Sequence, residues 1–222
     1  MEIGSKEWQD LIIDGARKLG IEIDEAVTAA FSIHASELIT WNRKFNLTAI
    51  TDPREIAIKH FLDSLAPADL ISDKARLLDI GSGGGFPGLP LKIFKPTISA
   101  ILIDGVRKKI NFIKHMLRTL GLENIEARQM RPEMLLRDRE CVASFDVIIS
   151  RALSDLSTFV KSALPLLAQR GTIIAMKGEI DAKELDAVCA DAAEDQYSLE
   201  IEKYGLPSID SQRSLVIIRH LV

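Results

Sequence analysis

A chain of 222 residues with 47% hydrophobic content can bury a full core without disulfide or metal staples. Its net charge of −4 counts mildly against a dedicated, uniformly basic nucleic-acid binder, although a local basic face can sit on an acidic protein. Cys141 and Cys189 offer no metal-ligand spacing, no apolar run reaches membrane-span length, and Met1-Glu2-Ile3-Gly4 lacks a leader pattern. The expected state is a cytoplasmic monomer with no metal and no membrane partner.

In chain order, the first seventy residues read as helical. Trp8, Leu11, Ile12, Ala16 and Leu19 form one helical stripe, ending near Gly20, and Val27, Phe31, His34, Leu38 and Trp41 form a second. Asp52-Pro53-Arg54-Glu55 reads as a helix start, with Asp52 as N-cap, Pro53 in the first turn and Glu55 reaching back, and the helix runs to about Pro67. Strand-like runs then alternate with helical stretches: Arg76 to Ile80, Ile98 to Ile103, Asn124 to Ala127, Phe145 to Ser150 and Gly171 to Met176. Alternation of this kind implies a mostly parallel sheet covered on both faces. Leu199 to Tyr204 and Ser214 to His220 follow without an intervening helix, as an antiparallel pair closing that sheet. The expected division is a helical extension over 1–70 and an α/β domain over 71–222.

The turn after the first strand is the most informative segment. Leu77-Leu78-Asp79-Ile80 runs into Gly81-Ser82-Gly83-Gly84-Gly85-Phe86-Pro87-Gly88, where bare backbone can meet a ligand because glycine carries no Cβ. Gly83 to Gly88 fits a dinucleotide fingerprint literally, but there the first glycine should close the strand, which Gly81 does. The register starting at Gly81 puts Phe86 where a third glycine is needed. Without Gly-Lys-Ser/Thr, a Walker-type phosphate loop is nearly excluded. Read as Asp79-x-Gly81-x-Gly83-x-Gly85, the turn resembles the first motif of class I S-adenosylmethionine-dependent methyltransferases; a nicotinamide or flavin enzyme is the alternative. A carboxylate suits a cofactor bearing a sulfonium and an ammonium and would repel a pyrophosphate, so Asp79 favours the former, with loop bracing as its plainer role.

Ligands of open α/β sheets lie beyond the carboxyl ends of the strands. Asp104, ending the second strand, is a candidate ribose acceptor or a cap for the helix near Gly105 and Val106. Glu133 follows the third strand beside Pro132, as an adenine border or an ordinary exposed side chain. Arg151 directly follows an apolar run, so it meets a ligand or a salt-bridge partner. Lys177 follows the fifth strand. His34 reads as a core residue. Arg107 to Arg118, with Arg43, Lys44, Arg54 and Lys59 near Trp41 and Phe45, is a solvated face or an RNA contact.

Several segments together resemble the RsmG (GidB) family of bacterial small-subunit rRNA methyltransferases. They are Trp41-Asn42-Arg43-Lys44-Phe45-Asn46-Leu47-Thr48, Lys59-His60-Phe61-Leu62-Asp63-Ser64, Asp79 to Pro90, Asp104 to Lys109, Ile149-Ser150-Arg151-Ala152 and Met176-Lys177-Gly178. The resemblance implies a Rossmann-like class I fold with a seven-stranded sheet, S-adenosyl-L-methionine as cofactor, and methylation of N7 of one guanine in 16S rRNA of the 30S subunit. It implies Gly81 and Phe86 at the methionine–ribose region, Asp104 at the ribose, Pro132 and Glu133 at the adenine, and Arg151 between cofactor and base. Asp79, Gly83, Gly105 and Val106 complete the expected cofactor set, and Arg151, Lys177 and His60 are the expected donors to the base. Arg131-Pro132-Glu133-Met134 departs from the family's small residue and two acidic ones. Guanine N7 carries a free lone pair, so no catalytic base is expected. A small-molecule methyltransferase and a non-catalytic cofactor-binding module are the alternative functions.

Overall fold

The computed structural model of the chain describes residues 1–151, 155–178, 180, 184, 188 and 197–220; Ala152 and Cys189 lie outside these. Helix α1 (Lys6–Lys18) starts where the Ser5 side chain accepts from Trp8 N–H, and α2 (Glu25–Phe45) where Asp24 accepts from Val27 N–H. Trp8, Ile12, Ala16, Phe31, His34 and Leu38 are buried, as their helical spacing requires. Asn46 ends α2 in the left-handed region, at φ 48°.

Asp52 caps α3 (Pro53–Ile56), accepting from Glu55 N–H at 2.9 Å. The Glu55 side chain does not reach back, contrary to expectation. Its carboxylate pairs with Lys59 Nζ at 2.6 Å, because an ammonium four residues on is a charged partner where the cap offers a neutral amide. The helix then widens into a π-helical segment, Ala57–Leu62, before α4 (Asp63–Leu65). Single π turns re-aim side chains and recur at functional sites. Here the wide turn buries Ala57, Ile58, His60, Phe61 and Leu62, almost its whole circumference.

The sheet contains β1 (Arg76–Ile80), β2 (Ser99–Asp104), β3 (Ile125–Gln129), β4 (Phe145–Arg151), β5 (Leu167–Lys177), β6 (Tyr197–Gly205) and β7 (Gln212–His220). Their order is β3-β2-β1-β4-β5-β7-β6, with parallel pairing from β3 to β5 and antiparallel pairing of β7 with both β5 and β6. Helices α5 (Gly88–Phe94), α6 (Arg107–Thr119) and α7 (Leu156–Ala163) connect the parallel strands. This is the expected seven-stranded Rossmann-like architecture. Strand β5 begins earlier than the apolar run does, because Leu167 pairs with Phe145 while Gln169 and Arg170 remain exposed. The chain order reverses between β1 and β4, which opens a crevice at their carboxyl ends.

Alternation sorts the strand residues onto two cores. Leu77, Leu102, Val147, Ile149, Ile174, Met176, Leu215 and Ile217 face α1, α2, the π segment, α5 and α6. Leu78, Ile103, Ile148, Ile173, Val216 and Ile218 face α7. The helices before β1 therefore share one apolar core with the sheet. At its centre Phe61 stacks on Phe31 at 4.6 Å and meets the rings of Trp8, His34 and Phe86 edge-on. Phe61→Ala is expected to cost about 3–5 kcal/mol by chemical denaturation, the range for deleting a fully packed aromatic.

Candidate active site

The glycine turn is built by three left-handed residues, Gly81 (φ 76°), Gly83 (φ 57°) and Gly85 (φ 90°), a conformation that side chains other than glycine adopt only with strain. Ser82 fastens the turn by donating to the carbonyls of Asp79 and Ile103. Asp79 lies behind it, fully buried, with Oδ2 accepting from Gly88 N–H at 2.9 Å and Oδ1 unpartnered. A Cβ on Gly88 would stand 2.7 Å from that Oδ2, so Gly88 provides the close helix–strand approach that Phe86 could not. Burial pushes the Asp79 carboxyl up to about 7, against the pull of the Gly88 amide. Loop bracing is the role visible for Asp79.

Asp104 ends β2 facing the turn. Its Oδ2 accepts from Gly83 N–H at 3.1 Å and lies 3.6 Å from Lys109 Nζ, while Oδ1 accepts from Val106 N–H at 2.8 Å. The carboxylate thus joins the two crossover loops and keeps acceptor capacity, since an ionised carboxylate offers about four lone-pair sites. Gly105 and Val106 follow it on the surface.

A cleft of about 210 Å³ opens over the turn, lined by Leu47, Thr48, His60, Gly81 to Gly84, Phe86, Lys109 and Arg151. A second, of about 430 Å³, adjoins it and is lined by Ile50, Lys59, His60, Asp63, Arg151, Met176, Lys177, Gly178 and Arg213. His60 and Arg151 line both. The fold thus brings together His60, Gly81, Gly83, Phe86 and Arg151, places Asp104 against the turn, and sets Lys177 in the second cleft, ion-paired with Glu184. Pro132 and Glu133 stand apart on a 3-10 turn after β3 and line neither cleft.

Phe86 is held between two histidine rings, His34 at 4.7 Å and His60 at 4.4 Å, and the Arg151 guanidinium lies 5.1 Å from its centroid. His34 is the buried core residue its spacing implied, with Nε2–H donating to the Gly84 carbonyl at 2.8 Å. Burial lowers its pKa to about 4. Burial, followed by the Arg151 charge, lowers that of His60 to about 3. Arg151 Nη2 donates to His60 Nδ1 at 3.2 Å, which leaves the ring proton on Nε2, 3.0 Å from Thr48 Oγ1. Both His60 nitrogens are therefore engaged inside the protein.

Sequence reasoning passed over Thr48, Asp63, Tyr204 and Arg213. Two of these stood inside the quoted motifs. Asn42 Oδ1 accepts from Thr48 N–H at 2.9 Å across the left-handed Asn46, so the Trp41-to-Thr48 motif is a turn that delivers Thr48 to His60. Asp63, next to last in the Lys59-to-Ser64 motif, accepts from the Tyr204 hydroxyl at 2.8 Å. Tyr204 and Arg213 carried no local signal at all.

The glycine cradle, the acceptor at the end of β2 and the aromatic wall fit a nucleoside cofactor bound over the turn. Acid titration offers a check on the burial of this site. Below pH 6.5 the unfolded chain protonates two histidines that the fold keeps neutral, which destabilises the fold. Asp79 opposes this, because between 3.8 and 7 the folded chain holds a proton that the unfolded one lacks. From these three groups, stability should fall by about 1 kcal/mol per pH unit between roughly 6 and 4.5, as denaturant unfolding at several pH values would show.

Residues 28–216 match the family model GidB, rRNA small subunit methyltransferase G. A "Ribosomal RNA small subunit methyltransferase G" of Geobacter sulfurreducens is 48% identical over 94% of this chain and 95% of its own length. One from Acinetobacter baumannii is 38% identical over 93% and 95%. Among solved structures, a SAM-dependent methyltransferase of Aquifex aeolicus superposes with a TM-score of 0.58 at 15% identity, covering 78% of this chain and 96% of that one. M. jannaschii TYW2 in complex with AdoMet gives 0.55 at 15% identity, over 72% and 75%. At these identities the structures speak for the fold alone. The alignment over nearly the whole length of close relatives decides the family: this chain belongs to the rRNA small subunit methyltransferase G (GidB) family.

Proposed function

We propose that the protein is an S-adenosylmethionine-dependent methyltransferase acting, as a cytoplasmic monomer, on N7 of one guanine in 16S rRNA of the 30S subunit. The observation that carries this reading is the pair of adjoining clefts that share His60 and Arg151 as a wall. One lies over the glycine turn, where a nucleoside cofactor fits; the other is lined by donors, where a base fits.

Gly81, Gly83 and Phe86 would hold the cofactor from the turn, Asp104 with Gly105 and Val106 from the end of β2, and Pro132 and Glu133 from beyond β3. Asp79 braces the turn from behind. When bound, S-adenosylmethionine supplies a methyl group on a cationic sulfur that departs as a neutral thioether. Guanine N7 offers its lone pair at neutral pH, so the protein need not remove a proton. That agrees with a neutral His60 whose nitrogens are both engaged. What remains is alignment, which on its own lowers barriers substantially. Lys59, Arg151, Lys177 and Arg213 make the second cleft rich in donors. Such a cleft suits the O6 acceptor of guanine over the amino group of adenine, provided that no guanidinium spans O6 and N7 and covers the nucleophile.

Residues 1–70 act here as an RNA-facing cover on the methyltransferase unit of 71–222. Arg43 and Lys44 at the end of α2 and Arg107, Lys108, Lys114 and Arg118 on α6 are exposed. The two helices are joined by Glu37–His115 at 2.7 Å and by Trp41 against His115. An acidic protein thereby presents a local basic face, which can hold RNA phosphates.

The deciding experiment incubates purified protein and methyl-labelled cofactor with 16S rRNA and 30S subunits from a strain lacking this modification. Label mapping to one 7-methylguanosine is expected, and transfer to neither substrate despite cofactor binding would overturn the reading. Arg151→Ala should lower transfer about a hundredfold or more, as loss of an aligning group does. Arg43→Glu with Lys44→Glu should weaken RNA binding and flatten its salt dependence, with cofactor affinity unchanged by calorimetry.

A further inference from the structure

Arg151 sits at the end of an apolar strand, largely buried, and its guanidinium is gripped from one stretch of helix. Nη1 donates to the Lys59 carbonyl at 2.8 Å and lies 3.5 Å from Asp63 Oδ2, while Nη2 donates to His60 Nδ1 at 3.2 Å. The three acceptors come from the π turn and the residue just after it. The Asp63 side chain is only 7% exposed. Its other oxygen accepts from the Tyr204 hydroxyl at 2.8 Å and lies 3.7 Å from Arg213 Nε. Tyr204 and Arg213 are directly opposed partners on β6 and β7. One buried carboxylate therefore ties together the helices before the sheet, the strand at the crevice and the C-terminal hairpin.

An ion pair this buried gains little net stability, because desolvating both charges offsets their attraction. Its location offers a different use. Arg151 lines both clefts, and an unrestrained arginine side chain samples many rotamers, so fixing it carries an entropic cost. Pinning it before substrate arrives removes that cost from the reactive complex.

We infer that Asp63 and Tyr204 are positioning residues, which hold the Arg151 guanidinium in the wall where the two clefts meet. This rests on the reading that the second cleft receives the target base. Asp63→Asn keeps size and an acceptor oxygen but removes the charge; Tyr204→Phe removes one hydroxyl and preserves the ring, so it serves as the milder variant if Asp63→Asn folds poorly.

The first readout needs no substrate. Nitrogen-15 NMR of the arginine side chains, assigned with Arg151→Lys, should show slowly exchanging Arg151 Nη–H protons in the wild type that exchange faster in both variants. The second is kinetic. With 30S subunits, kcat should fall about tenfold to a hundredfold in Asp63→Asn and less in Tyr204→Phe, the scale expected when a reacting group is misplaced by about an ångström. KM for the subunit and calorimetric affinity for S-adenosylhomocysteine should stay within about threefold, a change worth under 1 kcal/mol. Asp63→Glu should recover part of kcat. An Arg151 signal unchanged in both variants overturns the clamp whatever the substrate proves to be. So does an unchanged kcat, or a loss that follows melting temperature alone. Wild-type protein that methylates nothing on the 30S subunit defeats the functional reading instead, and the NMR comparison then decides the clamp separately.

Discussion

A guanidinium at the carboxyl end of a buried strand has to meet acceptors where it stands, since its burial leaves it little contact with water. Arg151 meets them in the π turn and Asp63, and the rest of the site is arranged around that solution. The π turn offers a carbonyl and a ring nitrogen, and Asp63 just after it a carboxylate, to one planar cation. Because His60 must accept from Arg151, its tautomer is set, and Thr48 is placed to receive the remaining ring proton. Because the Phe86 ring lies beside Arg151 and between two histidines, the end of the glycine turn is fixed as well.

The carboxylates divide the labour by their surroundings. Asp79 is buried against one amide and is driven toward neutrality at ordinary pH, which suits a brace. Asp104 takes two amides, lies near a lysine and joins two crossover loops at the edge of the glycine turn. Asp63 is held between two arginines and a phenol and balances charge inside a donor-rich cleft. Three residues of one type thus serve three purposes, and desolvation and partners rather than residue identity separate them.

The helices before β1 are no loose appendage. They share the core of one sheet face, carry His34 and His60 to Phe86, and lay the end of α2 alongside α6. The N-terminal helices, the two clefts and the basic face are therefore mechanically continuous. A methyl transfer that needs only alignment benefits from such a scaffold, because rigidity around the reacting groups is what the protein has to supply.

Much of this was legible before any folding was considered. Glycines at 81, 83 and 85 after an apolar strand declared a tight turn of bare backbone, alternating strands and helices declared a doubly covered sheet, and two apolar runs without a helix between them declared the closing antiparallel pair. Those features are local, encoded in backbone freedom and hydrophobic period, so the residues themselves determined them. The motifs around Thr48 and Asp63 were visible as patterns without a mechanism. Only the tertiary structure decided which groups meet. Tyr204 reaches Asp63 across 141 positions because β7 inserts between β5 and β6 and because strand parity turns Tyr204, Arg213 and Arg151 toward the same face. The π turn was equally hidden, since a segment buried on almost every side has no one-sided hydrophobic period in which a widened turn could show. Sequence period specifies which face of an element is buried; strand order and register specify what that face touches, and these depend on every element at once.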